Sequence, residues 1–452
     1  MASNDCLECL VMAIISYQVQ TISDLLNLAL TIPEYQRPYK WDTRHVNQLI
    51  DDILAYKKKT RYRLGTVVLH QEKEVKFNIV DGQQRLLTLT LICTILGENQ
   101  KTVTSNLLKT RFTSPVSIKK LKNNTQVIYS RFANLDNHDK QQLLSFILNQ
   151  CELITITLDD LNKAFQFFDS QNIRGKALAP HDLLKAYHLR EMMDNTEQID
   201  RIKHVELWEQ SINPYNNLPN LNTIIGEFLF RIRCWIEGDC GIQFSRHHID
   251  VFKGISLGDI NYPYMNPMYI TDNAIKNDNA VLVNRGSKQY QSYPFQIDQV
   301  LINGKHFFEY IQHYIAMYCK LFIDEDALLK GFVDKYTVYE NSNRKGDRYV
   351  KNLFMCTILY YYDKFGDVEL KQAAKICYCW SYFLRLKLQL ISMQSIDNHA
   401  KAANGLFRVI RKALHPQQIL NFIPPYNTKI RFKNAPSVEN AIKTMINGGR
   451  DE

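Results

Sequence analysis

The chain has 452 residues, of which 45% are hydrophobic and 22% charged, with a formal net charge of +9. That size and balance fit a soluble globular protein with a real core divided into two or three domains. They argue against a membrane protein, because no apolar run reaches the roughly 18 residues that a span needs.

The apolar LVMAII near the start follows acidic residues, not the basic ones of a signal peptide, so a cytoplasmic location is expected. Ten irregularly spaced cysteines in so long a chain read as reduced thiols, not a disulfide framework. Cys6 and Cys9 form a CxxC, and Cys377 and Cys379 a CxC. A structural zinc site usually needs two such pairs in ordered spacing, so no metal site is expected from the cysteines.

The charge is unevenly placed. Lys101 to Arg131 holds seven basic residues and no acid, and Lys401 to Met445 holds eight against Glu439 alone. Such segregation suits a polyanion partner, and two solvated basic faces are the alternative.

In chain order, IPEYQRPYKWD (32–42) reads as an ordered extended loop fixed by two prolines. Asp42 is placed to cap a helix whose apolar face is Val46, Leu49, Ile50, Ile53 and Leu54. YRLGTVVLH and VKFNIVDG read as two strands joined by a polar turn. LLTLTLICTIL, apolar on nearly every side, then predicts a buried helix beginning at Gln83. CELITITL (151–158) predicts a strand followed by a helix capped by Asp159 or Asp160, and another helix starts near Pro180. From about residue 190 the pattern is mostly helical and rich in aromatic residues, although 240–305 is irregular.

Between the second strand and the buried helix stand Asp81, Gly82, Gln83, Gln84 and Arg85. Gly82 allows a tight turn and close backbone approach. The first amides of the helix are unpaired and partly positive, and Asp81 could cap them. Arg85 opposes the helix dipole and so calls for an anionic partner, either a bound phosphate or a structural carboxylate. Gln36 and Arg37 in the proline loop, and Asn172 and Arg174 before Gly175, have the same character. The three arginine-bearing loops are expected to build one composite pocket in which Arg37, Arg85 and Arg174 converge.

The ordered set IPEYQRPYKW, YRLGTVVL, VDGQQRLLTL and FDSQNIRGKALAPHDLLK resembles the N-terminal (DGQQR) domain of GmrSD-type restriction endonucleases, related to the ParB/sulfiredoxin superfamily. More loosely, NRKGDRYVKNLFMCTILYYYDKFG (343–366) is similar to the helical region that follows in longer members. The resemblance implies an α/β (α+β) domain over residues 1–190, with a helical insertion at about 98–150. A mostly helical domain with a basic C-terminal segment would follow over 191–452. It implies binding and hydrolysis of a nucleoside triphosphate, with Mg2+, in a system that attacks modified phage DNA. By motif position it implies catalytic roles for Asp81, Gln84 and Arg85. Nucleotide contacts would come from Gln36, Arg37, Gly82, Gln83, Asn172, Arg174 and Gly175.

The chain departs from many members in its C-terminal third, where His399 and His415 have no second ligand at HNH-nuclease spacing. A PD-(D/E)xK reading on Asp52, Glu74 and Lys76 rests on a short, common pattern, and RGK at 174–176 lacks a Walker A glycine loop. Cleavage is therefore expected in trans, from a nuclease subunit, and self-association is left open. Two other functions stand beside this one: a non-catalytic DNA-binding adaptor with a nucleotide switch, and a self-contained nuclease with an unrecognised site.

DNA contact is expected at the C-terminal basic segment. Arg408, Arg411 and Lys412 fall at i, i+3 and i+4 on one helix, opposite an apolar side formed by Leu406, Phe407, Val409, Ile410 and Leu414. Lys429, Arg431 and Lys433 alternate as on a strand. Both sets would contact phosphates without reading sequence, and a solubilising face is the alternative.

Overall fold

The structure is a computed structural model that describes residues 14–33, 36, 38–57, 61–72, 76–97, 106–112, 114–159, 179–192, 198–212, 214, 218–257, 262–284, 291–423 and 436–447. The chain divides into two compact units, residues 1–178 and 179–452.

In the first unit the order is β1 (Ile14–Thr21), α1 (Ile22–Leu26), β2 (Leu30–Thr31), α2 (Thr43–Tyr56), β3 (Tyr62–Glu72), β4 (Lys76–Asp81) and α3 (Gln83–Leu96). Then come α4 (Pro115–Phe132), α5 (Asn137–Gln150) and β5 (Cys151–Leu158). The strands form one mixed five-stranded sheet in the order β1-β5-β3-β4-β2. β3 and β4 are the expected antiparallel pair, and β5 runs parallel to β3 and antiparallel to β1. α4 and α5 lie between α3 and β5 in sequence, and both pack on α3.

Local chemistry sets the ends of these elements. Asp42 caps α2 in a capping box with His45, which satisfies amides that the helix start leaves open. Val46, Leu49, Ile50 and Ile53 are buried as expected, whereas Leu54 is exposed, beyond the edge of the apolar stripe. α3 is buried along nearly its whole length, including Gln83, Gln84, Thr88 and Thr90. Thr88 and Thr90 satisfy their hydroxyls on carbonyls one turn back, at 2.8 and 2.7 Å. The helix expected after Asp159 or Asp160 falls outside the described residues.

The second unit is mostly helical, as expected: α6 (Pro180–Arg190), α7 (Gln198–Ile212), α8 (Phe230–Glu237), α9 (Asn266–Asn284), α10 (Lys305–Phe322), α11 (Lys330–Thr337), α12 (Lys345–Phe365) and α13 (Leu370–Lys387). Shorter helices follow, α14 (Met393–Ala400), α15 (Leu406–Lys412) and α16 (Gln417–Leu420), then α17 (Pro436–Asn447). The tyrosine-rich α12 and α13 pack together and bury Tyr360, Tyr361, Tyr378, Trp380 and Tyr382. α9 is a finding the sequence concealed. Its 19 residues are rich in Asn and Asp, and its apolar residues do not gather into a clear stripe. The described cysteines are free. Cys377 and Cys379 lie in the core of α13, where burial pushes both thiols up to about 12.

Candidate functional site

The site is built where β4 ends and α3 begins. Gly82 occupies the helix N-cap with φ +96°, a left-handed conformation that costs glycine little. A side chain there would also meet Val67 Cγ2 at 2.8 Å. Among the described residues no side chain caps α3, and no acidic residue lies in its first turn. The cap suggested for Asp81 is therefore not made: this residue ends β4 and the glycine takes the capping position. Among the described residues nothing accepts from the first amides of α3, and these carry the positive end of its dipole, which suits an anion.

Gln83 follows, 5% exposed, and its Oε1 has no hydrogen-bond partner among the described residues. An unpaired buried acceptor costs about 1–3 kcal/mol, a cost that a donor on a bound ligand or water removes.

Gln84 does something else. Its Oε1 accepts from the backbone amides of Lys40 at 2.8 Å and Trp41 at 3.1 Å, and its Nε2 donates to the Pro38 carbonyl at 3.4 Å. Its side chain is thus committed to holding the proline loop against α3. Gln36 works from the loop side, donating to the Ile79 carbonyl at 2.8 Å and the Val80 carbonyl at 2.7 Å. The two glutamines clamp residue 36 to the end of β4 and residues 38–41 to the start of α3.

Arg85 lies half-buried. Its Nη1 donates to the Thr66 carbonyl at 3.3 Å. Burial pulls its pKa below the ordinary arginine value, and the charge of Asp81 and the phenol of Tyr62 push back. Asp81 is thus an anionic neighbour of the kind the arginine calls for. The guanidinium rests over Gly65, in the left-handed region at φ +119° beside a register shift between β3 and β5. Sequence reasoning missed Gly65 as a site residue. The available signal was a lone glycine inside a strand pattern, which marks a bulge or a close approach.

A buried polar network braces the site from behind. Tyr39 is fully buried, and its hydroxyl meets Thr88 Oγ1 on α3 at 2.8 Å and Asn124 Nδ2 on α4 at 3.0 Å. Asn124 also donates to the Trp41 carbonyl at 2.9 Å, and the Tyr39 amide donates to Ser117 Oγ at 2.9 Å. None of these residues stood out in the sequence, since a tyrosine and an asparagine far apart carry no pattern until the fold joins them.

The structure therefore brings Gln36, Asp81, Gly82, Gln83, Gln84 and Arg85 to one place. Arg37, Asn172, Arg174 and Gly175, and with them the convergence of the three arginines, lie outside the described residues. So do Lys429, Arg431, Lys433 and Glu74.

In the second unit, Arg408 and Arg411 are drawn to the C-terminal end of α8 instead of standing together with Lys412. Arg408 donates to the Glu237 carbonyl at 2.9 Å, and Arg411 holds the Glu237 carboxylate with bonds of 2.9 and 2.8 Å. Carbonyls at a helix end attract such cations. Lys412 remains exposed, as does Leu414, which was expected on the docked apolar side; it falls beyond the end of α15. His399 is a partly buried residue stacked on Trp380 at 4.3 Å, and burial lowers its pKa to about 4.

No curated protein matches the chain. Residues 20–189 match the family described as GmrSD restriction endonuclease, N-terminal domain, and that span contains every site residue placed above in the first unit. Residues 200–439, over half of the chain, match the Family of unknown function (DUF7834); the chain belongs to that family and carries a GmrSD N-terminal domain ahead of it.

Proposed function

We propose that the chain is the nucleotide-binding, NTP-hydrolysing component of a cytoplasmic restriction system that acts on modified phage DNA, with cleavage supplied in trans. The observation that carries this reading is the start of α3, where Gly82 stands at the cap and, among the described residues, no side chain caps the helix and the adjacent buried Gln83 Oε1 has no partner. Phosphate oxygens accept from the open amides. The lone Gln83 oxygen accepts from the attacking water and orients it, a task glutamine performs well in phosphoryl transfer. Asp81 fits the Mg2+ that accompanies a nucleoside triphosphate, because that ion is usually held by one or two carboxylates together with the phosphates. Its chemistry is neutralisation of charge on the phosphates. Gln36 and Gln84 position the loop and do not touch the nucleotide.

A second reading rests on Arg85. Its bond to Thr66 and its burial beside Asp81 suit a brace that stiffens the pocket of a non-hydrolysing nucleotide switch. Phosphate release by the purified chain with each of the four nucleoside triphosphates and Mg2+ separates the two. Release that Asp81→Ala abolishes supports the hydrolase; tight binding without release supports the switch; no binding of any nucleotide ends both.

A further inference from the structure

The basic segment 101–131 has been given no task so far, and α4 organises much of it. Lys119, Lys122, Asn123 and Gln126 are spaced at i, i+3, i+4 and i+7, so they share one face, and all four are exposed. α4 contains no acidic residue. Among the described residues no carboxylate pairs with Lys119, Lys120 or Lys122, whereas Arg131 pairs with Asp51 of α2. That pair sits 12 residues beyond Lys119, about 18 Å along the helix axis, and leaves the lysine end unneutralised. The opposite face carries Ser117 and Asn124, both buried, and these are the α4 ends of the network to Tyr39, Trp41 and Thr88.

We propose that the outer face of α4 binds the phosphate backbone of duplex DNA, and that its inner face relays that contact through Asn124 and Tyr39 to the nucleotide site at the start of α3. The occupant follows from charge: lysines with amide donors interleaved and no acid match a polyanion and not a mixed-charge protein surface. The relay follows from connectivity. One hydroxyl, that of Tyr39, is shared by α4 through Asn124 and by α3 through Thr88. The same loop is fastened to α3 by Gln84 one helical turn before Thr88. A small shift of α4 on DNA therefore reaches the helix that holds the nucleotide without crossing solvent. The relay rests on the proposed nucleotide site, and the surface stands without it.

The test uses the full chain, with duplex DNA retention measured across a salt titration and phosphate release measured with and without DNA. Lys119→Glu with Lys122→Glu should weaken retention and reduce the slope of log affinity against log salt by about 1.8, from two lost phosphate contacts, with DNA-free release unchanged. Tyr39→Phe keeps the ring and removes the shared hydroxyl, so it should retain DNA yet lose stimulation of release by DNA. Wild-type retention and slope in the double variant overturn the surface, as does failure of the wild type to hold DNA. Full stimulation in Tyr39→Phe overturns the relay. A wild type that holds DNA through these lysines but releases no phosphate supports the surface and removes the nucleotide reading instead.

Discussion

Gly65 makes room for Arg85. A Cβ at Gly65 would stand 3.0 Å from Arg85 Nη1, and the backbone there holds φ +119°. Gly65→Ala should destabilise the first unit by about 1–3 kcal/mol through strain at that φ and displace the guanidinium. The check is a denaturation midpoint together with nucleotide affinity; unchanged values for both would show that the close approach is incidental.

Arg85→Ala separates the two tasks open to this side chain. If the guanidinium contacts phosphate, nucleotide affinity falls, since a charge-assisted bond is lost. If it only braces the Thr66 carbonyl, stability falls and affinity of the folded protein holds. Calorimetric titration with a non-hydrolysable analogue, below the unfolding transition, decides between them.

Gln84→Ala strips two backbone amides, those of Lys40 and Trp41, of their acceptor. The expected cost is about 1–3 kcal/mol for polar groups left unsatisfied. Hydrogen exchange should quicken at those two amides before it does elsewhere in the unit.

Glu237 and Arg411 form an exposed pair, and such pairs contribute about 0–1 kcal/mol. Arg411→Ala should therefore lower the stability of the second unit only slightly. Lys412→Glu should leave it unchanged and weaken any DNA retention that depends on the C-terminal segment. Thermal melts and filter binding on the two variants side by side give the answer. Equal DNA retention in Lys412→Glu and wild type would remove that segment from the DNA-binding surface.

Asp363 gives a pH test. Its carboxyl is buried, accepts from Tyr314 Oη at 2.6 Å and the Ile297 amide at 2.8 Å, and burial raises its pKa from 3.8 to about 7. A raised folded pKa means the folded state holds the proton more tightly. The resulting stabilisation is complete below about pH 4 and is lost as pH climbs through about 7. Asp363→Asn should flatten that decline, read as the difference in denaturant midpoint between pH 5 and pH 8.

Much of the site was legible because its residues are consecutive. Asp81 to Arg85 interrupts an apolar run, and that anomaly needs no fold to be noticed. The clamp was not legible in the same way. Gln36 and Gln84 look like ligand contacts in a polar motif, but each satisfies backbone groups more than 40 residues away, and only the sheet and its loop bring those groups within reach. The same holds for Arg408 and Arg411. Helical spacing predicts their common face, but not the end of α8 that meets it. α9 escaped for another reason: its described side chains are mostly exposed and it is rich in Asn and Asp, so its helix leaves little trace in the apolar pattern.

The position of β5 has a consequence for how the protein is made. In the sheet it lies between β1 and β3, yet it is the last of these strands to leave the ribosome, roughly 80 residues after β3 ends. Until then β1 and β3 each present an unsatisfied edge that fits β5 and nothing else in the native pairing. Synthesis therefore passes through a long interval in which the DGQQR helix can form while the sheet beneath it is still open, and α4 and α5 emerge within that interval. Closing the gap is a non-local, late event. A pause or truncation before residue 158 should yield chains that associate through those edges, while one placed after it should yield a first unit able to close.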